Sequence, residues 1–204
     1  MSLQPPLVTT PLFPSIEQCL LYATEYGMYE NIRQHSLMVA RVADTIHSGL
    51  TANRQLDGAL PERGLVIAGA LLHDIAKALC LQQDCRHADV GEQICRELGY
   101  PAIAPIVRDH VKLSAFTPDL YARGIFGAAE IVYYADKRVK HDRIVDLEDR
   151  LAYILDKYSN SDSFREKLIH ANFRQCQDLE SYLFAGLPFS PDELADHINA
   201  TLLP

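Results

Sequence analysis

What this sequence lacks narrows its reading first. Its 204 residues include five cysteines, at 19, 80, 85, 95 and 176, with no CxxC pair and an odd one over. That spacing argues against a structural zinc site and favours a reduced, cytoplasmic protein with buried or idle thiols. Basic residues are outnumbered, 19 Lys and Arg against 27 Asp and Glu, for a net charge of −8. A broad basic surface for gripping a nucleic-acid backbone is therefore excluded, and small anionic substrates remain open if positive charge is concentrated locally. There is no apolar run of the length expected of a transmembrane helix, so no membrane partner is expected. The opening MSLQPPLVTTPLFPS has no basic segment followed by an apolar one, so it does not read as a signal peptide. Alternating hydrophobic runs, repeats and low-complexity segments are missing too, and no strand pair is expected.

What is present is helical periodicity and enough apolar material, 48 % of residues, for a sizeable core. Residues 1–14 carry four prolines and read as an extended arm. Ser15 caps a first helix that Gly27 ends. A second covers about 31–48, and residues 51–61 form a loop. The third, about 62–80, is apolar almost throughout and should be central. Asp84 is the candidate cap of a fourth helix ending at Gly99. A fifth runs from Pro101 to about 112, a sixth over 125–140 and a seventh over 144–158. Ser163 with Glu166, and Ser190 with Glu193, have the spacing of capping boxes that open two further helices. The fold class is all-α.

Eight histidines separate by helical face. His35 is in line with Met38, Val39, Val42 and Ile46. His73 lies inside the apolar third helix, His87 aligns with Val90, Gly91, Ile94 and Leu98, and His110 with Ile103, Ile106 and Val107. These four sit on apolar stripes of different helices. His47, His141 and His170 read as solvated surface, with His197 on a stripe border. Two carboxylates, Asp74 and Asp136, also occupy inward positions, and an unpaired buried carboxylate is costly. A bound metal would answer both anomalies, since imidazole nitrogen and carboxylate oxygen suit iron, manganese, zinc or nickel. A metal-free buried polar network is the competing explanation.

The run AGALLHDIAKAL, with RQHSLMVA upstream, resembles the HD-domain phosphohydrolase superfamily, whose pattern is a His, an adjacent His-Asp pair and a distal Asp. HDIAK departs from the HDIG form by Ala76 in place of Gly. RHADVGEQICRELG and VRDHV place His87 and His110 where two-metal members carry two further histidines. The resemblance spans about residues 31–140. It implies a single HD-type helical domain over 15–143, with 144–204 as a C-terminal helical extension packing on that core. It implies that His35, His73, Asp74 and Asp136 hold a first metal, and that Asp74 bridges to a second held by His87 and His110. The two ions would be Fe or Mn first, with Zn, Ni, Co or Mg as alternatives. A second His-Asp pair, His141-Asp142, has charged neighbours and reads as surface.

The implied activity is a metal-dependent phosphohydrolase, in which a metal-activated hydroxide cleaves a nucleotide or other small phosphate ester. Asp74 and Lys77 are the catalytic candidates, and Lys77, Lys140 and Arg33 the substrate-binding ones. Lys77 lies one helical turn from both His73 and Asp74. Lys140 belongs to the basic run 137–143, which equally suits a helix C-terminus. Two-metal relatives include diadenosine tetraphosphate hydrolases and cyclic dinucleotide phosphodiesterases, the latter with a GYP motif that is not expected here. A mononucleotide or dinucleoside polyphosphate is the preferred substrate. Two other readings compete: an HD-fold di-iron oxygenase with the same six ligands, and a non-catalytic signalling or interaction domain, which would tend to lack them. Residues after 144 are expected to cover the core, to form a lid, or to make a homodimer surface.

Overall fold

A computed structural model describes residues 12–53 and 60–199. Most of the 1–14 arm and most of the 51–61 loop lie outside the described residues. Helix α1 (Ile16–Glu25) starts at Ser15 with the capping box reciprocated by Gln18. Helix α2 (Glu30–Ala52) is longer than its pattern indicates, and it packs against α3 (Arg63–Leu72) and α8 (Ala128–Lys137). Helix α3 packs in turn on α1 and α6 (Ala104–Asp109). Val39, Ile46, Leu72, Ile75, Ile103 and Ile131 lie fully buried where these helices meet.

The expected single third helix is broken. After α3 the chain makes a tight turn at 73–76 before α4 (Lys77–Gln83), with Ile75 N–H donating to the Leu72 carbonyl and Lys77 N–H to that of Asp74. The whole stretch Arg63–Gln83 is, against expectation, apolar and long enough to match a membrane span by composition, but 72 % of its most apolar window is buried inside the molecule. The two helices and the turn between them run through the core of the domain.

Asp84 does not cap the next helix. It ends α4 in a left-handed conformation (φ 50°), and Arg86 precedes α5 (His87–Glu97). That reversal brings the Cα atoms of Cys80 and Cys85 to 4.7 Å, and the two form a disulfide. The expectation of five free thiols is thus corrected: Cys19, Cys95 and Cys176 are free and buried. Helices α5 and α6 pack together, and α6 is shorter than the 101–112 pattern suggests.

A short helix α7 (Pro118–Tyr121) lies where only a loop is expected. Beyond α8 the chain forms a small hairpin, β1 (Val139–Lys140) with β2 (Arg143–Ile144), paired antiparallel. No strand is expected there, because two residues per strand leave no hydrophobic alternation to read. Helices α9 (Leu147–Tyr158) and α10 (Ser163–Ala185) pack on each other, and α10 also on α8. The cap of α10 is Asp162 rather than Ser163. The capping box at Ser190 is present, and it opens a 3-10 turn over Pro191–His197. The described chain is all-α apart from the hairpin.

Candidate metal centre

The ligand candidates stand mostly at helix ends. His73 closes α3 and Asp74 follows it in the turn. His87 opens α5, His110 closes α6, Asp136 is the penultimate residue of α8, and His35 alone sits within the body of a helix, α2. A ligand at a helix end is held by backbone turns on one side and can still point across the gap between helices.

Three imidazoles are pinned in the same way. The Nδ1 of His73 bonds the Ala70 carbonyl at 2.7 Å, that of His110 the Val107 carbonyl at 2.6 Å, and that of His35 the His141 carbonyl at 2.9 Å. A carbonyl only accepts, so each Nδ1 carries a proton and each Nε2 is turned inward. The Nε2 of His35 lies 2.9 Å from Asp136 Oδ1, and that of His73 lies 3.7 Å from the same oxygen. His73 Nε2 is also 3.4 Å from Asp74 Oδ2. The other oxygen, Asp74 Oδ1, lies 3.3 Å from His87 Nε2 and 3.5 Å from His110 Nε2, and those two nitrogens are 3.1 Å apart. Asp74 thus turns one oxygen to each half of the cluster.

Two atoms at its centre, His73 Nε2 and Asp74 Oδ1, are buried without a hydrogen-bond partner. A buried polar group left so is destabilising by about 1–3 kcal/mol, and a cation would satisfy the lone pair of either atom. His35, His73 and Asp136 lie close enough together to share an ion, as do His73, Asp74 and His110. The donor set of imidazole and carboxylate fits a divalent transition metal.

Charge reinforces this arrangement. Burial opposes ionisation of Asp74, but Lys77, His73 and His110 hold its carboxyl well below the usual carboxylate range. Asp136 is likewise held down, against burial, by Lys137, His35 and Arg150. Burial lowers His110 to about 4, so it stays neutral and able to ligate. Burial would lower His73 too, yet the neighbouring carboxylates hold it above its ordinary value.

All six ligand candidates come together. Lys77 joins them, its Nζ donating to Asp74 Oδ2 at 2.7 Å. Arg33 does not: it bonds Glu30 and Thr24 on the exposed side of α2. Lys140 lies on β1 rather than on a helix, with its ammonium 5.1 Å from the Tyr153 ring centre. His141 and His170 are exposed as expected, and so is His197, stacked on Phe189. His47 is not surface. It is buried, with Nε2 on the Pro61 carbonyl, because α2 is central enough to be covered on more than one face.

Two cations escaped the sequence reading. Lys137, in a run that suggests a solvated helix end, is buried and donates to Asp136 Oδ2 at 3.0 Å and to the His110 carbonyl at 2.7 Å. Arg150, on a helix expected only to cover the core, brings a guanidinium nitrogen to 3.6 Å from Asp136 Oδ1. The only sequence signal for Lys137 was adjacency to Asp136; for Arg150 there was none.

Comparison with known proteins adds the following. A family model described as HD domain matches residues 32–161. Over 80 residues, 39 % of this chain, the sequence is 35 % identical to ribonuclease Y of Fusobacterium nucleatum, covering 14 % of that protein. Over 150 residues, 66 % of this chain, it is 29 % identical to a tRNA (cytidine(56)-2'-O)-methyltransferase of Thermoplasma volcanium, covering 41 % of it. The match spans less than half the length of either relative. The crystal structure of a predicted HD superfamily hydrolase from an uncultured Thermotogales bacterium superposes with a TM-score of 0.47 and 16 % identity, covering 84 % of this chain and 92 % of that one.

Proposed function

This chain belongs to the HD domain family, and on that premise we propose that it is a metal-dependent phosphohydrolase acting on a small phosphorylated compound, a nucleotide first. The observation that carries the reading is the pair of unpaired buried atoms, His73 Nε2 and Asp74 Oδ1, at the meeting point of imidazoles of which three have Nδ1 held by backbone carbonyls. His35, His73 and Asp136 would hold one ion, and Asp74, His87 and His110 the other. Bound there, the ions would supply Lewis acidity and an activated water for attack on phosphorus.

The protein's own groups have separate tasks. The carbonyls of Ala70, Val107 and His141 hold the Nδ1–H of each ring and so turn each Nε2 toward the centre. Lys77 holds Asp74 Oδ2 and stands beside the centre, where its ammonium can meet a phosphoryl oxygen. Lys137 anchors Asp136 to the end of α6. A small substrate, rather than a nucleic-acid polymer, accords with the net charge of −8. Against the expectation that the GYP motif is absent, Gly99-Tyr100-Pro101 spells its letters; it is the turn that closes α5, with Tyr100 buried and its ring 6.2 Å from that of Tyr22. Cyclic dinucleotides therefore belong in the substrate test.

That test is metal content per chain, by mass spectrometry on protein purified without oxygen. It is followed by anaerobic turnover of mononucleotides, dinucleoside polyphosphates and cyclic dinucleotides. About two ions per chain, with phosphate-ester cleavage, is the expected result. The His73→Ala variant should lose at least the ion of the His35–His73–Asp136 site, and unchanged metal content would overturn that assignment. A wild-type chain that takes up no metal sinks the reading, and turnover only with dioxygen would replace hydrolysis by oxidation.

A further inference from the structure

Before any ion arrives, the two buried carboxylates already face three cations: Lys77 on Asp74, and Lys137 and Arg150 on Asp136. Binding of divalent ions to those carboxylates leaves a strong local excess of positive charge that only an anion can offset. The three cations are not equivalent. Lys77 and Lys137 are committed to hydrogen bonds of 2.7–3.0 Å. Arg150 is not. Its closest approach to Asp136, 3.6 Å, is an ion pair beyond hydrogen-bond length. Its Nε is buried with no partner.

The surroundings of Arg150 carry the same signature. Its guanidinium lies 5.5 Å from the centre of the Tyr153 ring, one turn further along α9. Lys140 Nζ lies 5.1 Å from the same ring centre, and the His141 ring meets it edge-on at 5.4 Å. Three basic side chains from the β-hairpin and α9 thus gather on one half-buried aromatic ring, next to Asp136, in a protein of net charge −8. Arg150 and Lys140 repel each other across that ring, and an anion held between them would offset the repulsion.

We propose that Arg150, carried on Tyr153 and flanked by Lys140, is the phosphate-gripping residue of this site, donating from its guanidinium to a phosphoryl oxygen of the substrate on the His35–His73–Asp136 side. Arg150 suits the task because its planar fork presents parallel donors to phosphate oxygens. With Asp136 holding an ion, Arg150 would keep the Tyr153 face behind it and be free to meet the substrate anion. Lys140 forms the outer edge of the subsite. This inference rests on the phosphohydrolase reading above.

The experiment is titration calorimetry of inorganic phosphate into the metal-loaded chain, with metal content measured on every sample. Wild type should bind phosphate. Arg150→Ala should keep its ions, having lost a cation that competes with them, and bind phosphate about tenfold to a hundredfold more weakly. Arg150→Lys should recover part of that loss, and Lys140→Ala should lose less than Arg150→Ala. Equal phosphate affinity in wild type and Arg150→Ala, with full metal content in both, overturns the role of Arg150 and leaves the phosphohydrolase reading standing. Loss of ions together with phosphate in Arg150→Ala also overturns it, making Arg150 a support for Asp136. A wild-type chain that takes up no metal overturns both. If Arg150→Ala does not fold, Arg150→Lys and Lys140→Ala decide: unchanged affinity in both overturns the subsite.

Discussion

At the scale of single residues, the centre is built from groups whose alternatives have been removed. Lys137 is the clearest case. Its ammonium is buried, bonded to Asp136 Oδ2 and to the His110 carbonyl, and set 4.5 Å from the Tyr133 ring centre. It ties a ligand on α8 to the end of the helix that bears another. Lys137→Met fills similar space but leaves Asp136 with one fewer counter-charge and the carbonyl without a donor. The metal-free protein should lose about 3 kcal/mol of stability, read from urea unfolding. A loss under about 0.5 kcal/mol would show that the pair contributes nothing net.

At the scale of elements, helix ends and close helix approach place the ligands. Helices α5 and α6 can bring His87 and His110 together because residue 91 has no side chain. A Cβ on Gly91 would fall 2.7 Å from Val107 Cγ1, a branched side chain with little room to yield. Gly91→Ala should therefore push α5 off α6, lower stability by about 1–3 kcal/mol, and part His87 from His110. Metal content should drop from about two ions per chain to about one, with His35, His73 and Asp136 still holding theirs. Retention of both ions would show that His87 is not needed for the second.

At the scale of the molecule, three buried thiols and a disulfide give opposite conditions their own signatures. Burial pushes Cys19, Cys95 and Cys176 from 9.0 up to about 12. Folded, they keep their protons; unfolded, they release them above pH 9. The stability they hold is therefore complete below about 9 and lost as pH rises toward 12, by about 1.4 kcal/mol per thiol per pH unit. Tyr133 and Tyr134, raised mainly by burial, act in the same direction. The urea midpoint should fall between pH 8 and pH 10; an unchanged midpoint would mean these groups are not shielded. Reducing Cys80–Cys85, which closes a short loop two residues before His87, should cost about 2 kcal/mol. Melting with and without a dithiol measures this, with Cys85→Ser as the control. C-terminal packing enters through Arg138, buried and bonded to the carbonyls of Val145 and Pro191 and to Glu180, which fastens α8 to the chain beyond it.

By itself the sequence determined the helical class and the six ligand candidates. Both follow from period: an apolar stripe at helical spacing marks an inward face, and a His or Asp on that stripe is visible as an exception. His35, His73, Asp74, His87, His110 and Asp136 could be picked out without knowing how the helices cross. Only the tertiary structure decided what depends on that crossing. The break at 73–76 falls where apolar residues flank the His73-Asp74 pair on both sides, and hydrophobic periodicity does not report a turn inside a buried stretch. His47 and Lys137 are buried by neighbours far along the chain, and the Cys80–Cys85 pair needs the left-handed turn at Asp84. Arg150 reaches Asp136 from a separate helix beyond the hairpin, a tertiary contact that leaves no trace in local spacing.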